Sequence, residues 1–437
     1  MQLLTKNQQE LEITHNEHEQ PTHAHSRVFS ALRHRNFRLF WSGQLISLIG
    51  TWMQTTGQSW LVLQLTHSAW ILGIVGALQF LPMLLFSLFG GVIADRLPKR
   101  RMLLVTQLAS LLLAATLWLL VFTGVVQLWH VFILATLLGI TNAFDMPTRQ
   151  SFVVEMVGRE DLPNAVALNS SIFNMARIIG PGIAGLLIAW LGEGPLFLLN
   201  AVSFIPVIIS LFMIHEHELR VHHVAKAAQQ GTLKSLREGL SYVAHTPVVL
   251  LIIATVGLVS LFGINFNVTL PLIADGVLKI GPQGFGFLSS AFGLGSLLSA
   301  LWLAWKNNQP GITSIIVACL FFAVFEALFA ISHWYILSLV LIALVGFAQI
   351  AFSAKANATL QTVTPDHLRG RIMSVYIIVF AGTTPIGNLF TGGVAHIAGA
   401  SVALLAGALV SLAAAAAAWF LRHPAEKSLA ASEFVHE

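Results

Sequence analysis

Gly90-Gly91-Val92-Ile93-Ala94-Asp95-Arg96-Leu97-Pro98-Lys99-Arg100-Arg101 is the stretch whose reading decides the fold. It joins two long apolar runs. Small residues close the first run, a carboxylate follows at once, and four basic residues crowd the next positions. The pattern suits a short turn between two membrane helices. Gly90, Gly91 and Ala94 let their helix approach a neighbour closely, as small residues do in membranes. Asp95 at the helix end can accept hydrogen bonds from the free amides of another helix's N-terminus, where the macrodipole favours it. The plainer alternative is a basic loop that only sets topology.

Composition agrees with a membrane chain. Of 437 residues, 56% are hydrophobic and 10% charged, and mean hydropathy is +0.78. A soluble domain carries roughly a quarter charged residues, so this chain cannot cover a water-facing surface. The single cysteine, Cys319, excludes an internal disulfide and a cysteine-rich metal site. The first residues are polar and His-rich with no apolar core before them, so no cleavable signal peptide is expected.

At roughly 20 apolar residues per crossing, the chain reads as about twelve spans. The first is near Phe37–Leu65, the seventh near Val248–Ile273, the eleventh near Ile372–Ile397 and the last near Ser401–Leu421. Residues 1–36 form a polar tail, 37–214 a first set of six spans, 215–246 a linker, 247–421 a second set, and 422–437 a second tail. Of the 23 basic residues, Lys279 falls in one set of loops and Arg177 inside a span; the others all fall on the opposite side. By the positive-inside rule that side is the cytoplasm and holds both termini. Topology thus explains the net charge of +4, and no nucleic-acid partner is expected.

A weak internal repeat supports two related halves. Val157–Leu162 resembles Val363–Leu368, and Arg149 and Lys355 are separated by the same interval. Asn308 stands where a second Asp95 would be expected, so the second copy of the opening loop has lost its charge. Two related halves around a linker are the layout of a rocking transporter whose site lies between them.

Four stretches carry a family resemblance. They are Asn36–Gln44 continuing into Gly50-Thr51-Trp52-Met53-Gln54, the Gly90–Arg101 loop, Asn142–Gln150, and Asn174-Met175-Ala176-Arg177-Ile178-Ile179-Gly180-Pro181. Over nearly its whole length the chain resembles the major facilitator superfamily, and within it the bacterial drug and siderophore exporters, the group that includes the enterobactin exporter. The resemblance implies an all-α membrane protein of twelve transmembrane helices in two pseudo-symmetric six-helix halves. It implies that Gly90, Gly91, Asp95, Arg96, Arg100 and Arg101 form a gate, with Asp95 reaching the eleventh helix near Arg369–Met373. Ala176, Gly180, Pro181 and Gly185 would form the packing motif of the fifth helix. Two positions depart from the pattern. Ala135, four residues before Gly139, replaces an arginine carried by many proton-coupled exporters, and Ala176 replaces a glycine.

Candidate cavity residues follow from polarity within spans. Arg177 lies deep in its span and should face the interior or a wet cavity. Pro181 has no amide hydrogen, so the Arg177 carbonyl loses its helical partner. An internal structural arginine is the alternative. Gln44, Ser47, Thr51, Gln54 and Gln58 recur every three or four residues on the first helix, as on a face toward a wet cavity. Asn142, Asn265, Asn267, Gln349 and Asn388 add amides elsewhere, and Trp52, Trp60 and Phe80 can supply aromatic walls. Asp145 and Glu326 are the candidates for proton coupling, although Asp145 is also placed to pair with Arg149 four residues on. The histidine groups His15/His18/His23/His25 and His215/His217/His222/His223 sit in polar segments, and neither a metal nor a cofactor is expected from them.

These readings converge on a secondary exporter in the bacterial inner membrane. The resemblance, rather than the residues themselves, implies export of a small organic molecule against proton entry, by a monomer. Arg177 favours an anionic or catechol-like compound such as a siderophore, and a macrolide-type drug is the alternative. The exporter's partners would be that small-molecule substrate, protons and the lipid bilayer. A lipid or lysolipid flippase of the same fold is the alternative within transport, and a transporter-fold receptor or sensor the alternative outside it. No nucleophile elbow, phosphate loop or ligand spacing points to an enzyme.

Overall fold

The computed structural model describes residues 29–220, 232–306 and 311–433, with side chains at all of these except 88–89, 91–92, 94–96, 232–236 and 424–433. Six helices build the first half: α1 (Arg35–Thr66), α2 (Ala69–Arg96), α3 (Lys99–Phe122), α4 (Leu128–Val157), α5 (Leu162–Leu191) and α6 (Gly194–Met213). A connecting helix follows, α7 (Thr232–His245). The second half comprises α8 (Pro247–Phe262), α9 (Phe266–Leu272), α10 (Gly281–Trp305), α11 (Ile312–Ile331), α12 (Tyr335–Val363), α13 (Asp366–Gly382), α14 (Thr384–Ala398) and α15 (Ala400–Glu433). Among the described residues there is no strand.

Among the described residues, eleven helical segments are long and apolar enough to cross a membrane, with α8–α9 and α13–α14 forming one segment each. Helix α1, at 32 residues, is long enough. Its stripe of amides and hydroxyls makes it less apolar than the others.

Local chemistry sets the ends and breaks. Ser68 caps α2, its hydroxyl accepting from the Ile71 amide at 3.5 Å. Helix α4 stops at Gly158, whose φ of 77° suits glycine. The sequence reading expects one span over Val248–Ile273, but the rod is interrupted. Helix α8 ends before Gly263 and α9 restarts after Asn265, whose Nδ2 donates to the Leu261 carbonyl at 2.8 Å. Pro271 denies the Asn267 carbonyl its amide, and α9 passes into a π turn over Ile273–Val277. The expected span Ile372–Ile397 likewise breaks at Thr383, and Pro385 sits in the first turn of α14, where a missing amide costs nothing. Such irregular backbone inside a membrane is tolerated where protein or a wet cavity surrounds it.

The halves repeat one packing scheme. Helix α1 packs on α5 and α6, α3 on α4 and α6, and α2 on α4; correspondingly α8 packs on α14 and α15, α11 on α12 and α15, and α10 on α12. Two extensive pairs join the halves, α5 with α10 and α2 with α14, with smaller contacts of α9 on α1 and α2 and of α13 on α2. Both extensive joints need glycine. A Cβ at Gly286 would stand 2.4 Å from the Pro181 carbonyl oxygen, and one at Gly73 2.5 Å from that of Asn388. The helices approach to backbone contact there, the close packing that substitutes for a hydrophobic drive in lipid. These joints lie toward the end that holds the turns after Thr66, Leu191 and Ala398, the far end. Lys99, Arg100, Arg149, Lys306 and Arg369 belong to the opposite, basic end.

Candidate functional site

Helices α1, α5, α9 and α10 line a small, partly open cavity between the halves. Helix α1 lines it with Trp52, Thr55, Thr56 and Ser59, α5 with Arg177 and Pro181, α9 with Phe266, Asn267 and Leu270, and α10 with Phe285, Ser289 and Phe292. The Arg177 guanidinium carbon lies 4.6 Å from the Phe292 ring centroid and 5.8 Å from that of Trp52. Ring faces attract a cation by about 0.5–2 kcal/mol, more when water is excluded. Arg177 is thereby held between the two halves, in a cavity, while its guanidinium donors remain able to bind an acceptor.

The hydroxyls are partly committed. Thr55 donates to the Thr51 carbonyl at 2.9 Å, Thr56 to Trp52 at 3.0 Å and Ser59 to Thr55 at 3.1 Å. Their oxygens retain lone pairs to accept with. Ser290 donates across the halves to the Ile178 carbonyl at 2.6 Å. Trp60 stacks on Phe285 with centroids 6.0 Å apart, flooring the cavity toward the far end. A smaller pocket shares Thr55, Ser59 and Asn267 with the first and adds Gln58, Gly76 and Gln79.

The expected polar stripe of α1 divides. Gln58 reaches the smaller pocket. Gln54 turns to α6 and accepts from Asn200 Nδ2 at 2.6 Å. Thr51 donates to the Ser47 carbonyl at 2.9 Å, and Gln44 is buried with Oε1 unpaired. Among the scattered amides, Asn267 lines both pockets. Asn265 and Gln349 are buried, each with its side-chain oxygen unpaired, and Asn388 is buried with both amide atoms unpaired. Asn142 is partly exposed in α4. On α5, Ala176 is buried, Gly180 packs on α1 at Trp52, Pro181 lines the cavity and Gly185 meets α10 at Gly286. Glu326 is buried in α11, 1% exposed, with Oε2 unpaired.

The residues missed from sequence are Thr55, Thr56, Ser59, Phe266, Leu270, Phe285, Ser289 and Phe292. Thr55 and Ser59 lie one residue along from Gln54 and Gln58, on the edge of the same stripe, which was the available signal. The phenylalanines carried none, because an aromatic in a membrane helix is as much at home against lipid.

At the basic end the charges are bound within the first half. Asp145, 4% exposed, accepts from Thr106 Oγ1 at 2.7 Å and Gln107 Nε2 at 2.8 Å and pairs with Arg149. Lys99 pairs with Glu155 at 2.7 Å. Arg100 donates to the Leu211 and Phe212 carbonyls that end α6, and pairs with Glu216 at 2.6 Å. Arg101 is exposed and Gly90 packs on α4 at Ala143. The side chains of Gly91, Asp95 and Arg96 lie outside the described residues. Across the bundle, Arg371 of α13 pairs with Glu238 of α7, and Arg369 pairs with Asp366 at 2.7 Å. Asp161 meets His34 Nε2 at 2.7 Å; hydrogen bonds from the side chains of Ser30, first, and His34 hold its carboxyl below the usual range. In the linker, His215, His217 and Glu218 each bring one ligand atom within 4.8 Å of the others, all exposed. His15, His18, His23, His25, His222 and His223 lie outside the described residues.

Two helical halves that repeat one packing scheme around a central cavity are the architecture of a multi-pass membrane transporter. The chain belongs to the transmembrane secretion effector family of the major facilitator superfamily, whose model matches residues 26–437. It is 30% identical over 348 residues to the multidrug efflux pump Tap of Mycolicibacterium fortuitum, covering 78% of this chain and 84% of that one. It is 27% identical over 374 residues to the staphyloferrin A transporter of Staphylococcus aureus, covering 83% and 90%. Its fold matches the crystal structure of the nucleoside transporter NupG with a TM-score of 0.69 at 13% identity, over 88% of this chain and 98% of the other.

Proposed function

We propose that this protein is a secondary active exporter that carries a small organic molecule out of a bacterial cell by alternating access, driven by proton entry. The observation that carries the proposal is Arg177, held against Phe292 and Trp52 in a cavity that both halves line. An arginine at that depth is costly unless it has work to do. With hydroxyls and rings around it, the cavity suits an aromatic or carboxylate-bearing anion, of the drug-like or siderophore kind that the relatives' names suggest.

The basic end is read as cytoplasmic by the positive-inside rule, with both termini inside; we read the protein as a monomer of the inner membrane by its likeness to bacterial exporters. Helix α1 is read as the first span, which brings the count to twelve, with residues 215–246 as the linker and residues 1–36 and 422–437 as tails. The close joints at the far end, α5 on α10 and α2 on α14, then belong to a state whose cavity opens to the cytoplasm. In the opposite state Asp95 would meet the start of α13, with Gly90, Gly91, Arg96, Arg100 and Arg101 shaping that gate. Asp145 and Glu326 remain the carboxylates for proton coupling. The test is uptake into inverted vesicles under an imposed pH gradient, across siderophores, drugs and lysolipids. Gradient-dependent uptake of one organic anion class supports the proposal; movement of lysolipid alone makes the protein a flippase.

A further inference from the structure

Lys306 and Lys355 share one indole at the basic end. Lys306 Nζ lies 5.2 Å from the Trp302 ring centroid and Lys355 Nζ 5.7 Å from it. Trp302 of α10 in turn packs on Phe347 of α12, centroids 5.7 Å apart. Among the described residues neither ammonium meets a carboxylate within ion-pair distance. Two like charges gathered at one ring repel each other, so the arrangement lacks an anion.

The first half shows what is missing. Arg149 and Lys355 occupy matching places in the internal repeat. Arg149 is balanced by Asp145, one turn earlier in α4. One turn before Lys355 stands Ala351, buried and neutral. The second half has kept the cation, lost its acid and gained a second cation in Lys306. The surface beside these lysines says where the anion comes from. Leu298, Leu301 and Trp305 of α10 are 51%, 58% and 85% exposed. Leu344, 37% exposed, lies three helical turns before Lys355 on the same face of α12. An exposed apolar strip therefore leads up to the two ammonium groups, with a tryptophan at the level where indoles favour the membrane interface.

We propose that Lys306, Lys355 and Trp302 bind the phosphate of an anionic phospholipid in the leaflet at the basic end, with its acyl chains along Leu298, Leu301 and Leu344. The lipid supplies the charge that Asp145 supplies in the first half. Basic side chains near a membrane surface attract such headgroups.

Native mass spectrometry of the full chain, released from micelles holding added phosphatidylglycerol or phosphatidylcholine, tests this. The wild type should retain phosphatidylglycerol in preference to phosphatidylcholine. Lys306→Gln should weaken the tightest-bound phosphatidylglycerol about fivefold, and Lys306→Gln with Lys355→Gln about 25-fold. The double Lys→Arg variant should keep it. Lys306 lies just past the end of α10, so its single exchange gives a reading even if the change at Lys355 costs folding. Equal retention by wild type and Lys306→Gln, or equal binding of the two lipids, overturns the proposal. So does inorganic phosphate that displaces the bound phosphatidylglycerol, for the site would then take a soluble anion.

Discussion

The Arg177 guanidinium of α5 rests 4.6 Å from the ring of Phe292 of α10, so one cation–aromatic contact spans the two halves of the bundle. A group bound by Arg177 would sit in the cavity that both halves line. If the halves rock apart on either side, this contact must loosen or shift, and a ligand on Arg177 feels the change.

Exchanging Phe292 for leucine keeps an apolar side chain and removes the ring quadrupole. A loss of about 0.5–2 kcal/mol raises the transport KM roughly 2- to 30-fold. In an Arg177→Ala background the same exchange should add little, because residues in contact couple. Initial transport rates of the four proteins close this cycle; strictly additive effects would show that Phe292 acts on the substrate alone.

Asp145 is buried with three partners, and its loss strands Arg149. Asp145→Ala should cost about 2 kcal/mol of stability, below the value for a fully buried pair because Arg149 stays 26% exposed. Adding Arg149→Ala should restore part of that loss. Thermal unfolding in detergent reads both; a double variant as unstable as the sum of the singles argues against the pair.

Gly286 admits the Pro181 carbonyl where a side chain would collide. Gly286→Ala should wedge α5 from α10 and loosen the far end. With the single cysteine removed as Cys319→Ala and Ser59→Cys placed in the cavity, an impermeant maleimide added outside intact cells should label faster in the glycine variant. Unchanged labelling would mean the α5–α10 joint is not the seal.

The depressed carboxyl of Asp161 ties stability to acid. Its ordinary value is 3.8 and the fold lowers it, so the ionised form contributes stability that is fully present above the ordinary value. That contribution is lost as pH falls through the lowered one. Asp161→Asn should flatten this acid limb without changing behaviour near neutrality. Unfolding midpoints measured down the acid range test it, and identical limbs in the two proteins would remove Asp161 from the explanation.

Much of this architecture was legible in the chain. Span lengths, the asymmetric basic residues and the repeat that matches Arg149 with Lys355 were enough for the two-half layout. The i, i+4 spacing of Asp145 and Arg149 was enough for their pairing. Pro181 four residues after Arg177 pointed to a freed carbonyl beside a buried charge, and both residues line the cavity. What stayed hidden was which neighbour each helical face meets. Periodicity put Gln54 and Gln58 on one stripe, but Asn200 of α6 claims Gln54, while Gln58 and the adjacent Ser59 reach the pockets. The choice depends on residues some 146 positions apart, and no local pattern carries it. Phe266, Phe285 and Phe292 were hidden for a related reason: lipid and cavity both accept a phenyl ring. The breaks at Gly263–Asn265 and Thr383 were also unread, since small and polar residues within a span are tolerated in an unbroken helix.

The most direct measurement is gradient-driven uptake into inverted vesicles by Arg177→Ala beside the wild type, at matched amounts of folded protein in the membrane. For an organic anion that the wild type carries, the variant should transport at least about tenfold more slowly at low substrate, a loss of about 1.4 kcal/mol, while Arg177→Lys keeps part of the rate. Wild-type uptake by Arg177→Ala would contradict a substrate site at Arg177 and leave the residue a structural bridge between α5 and α10.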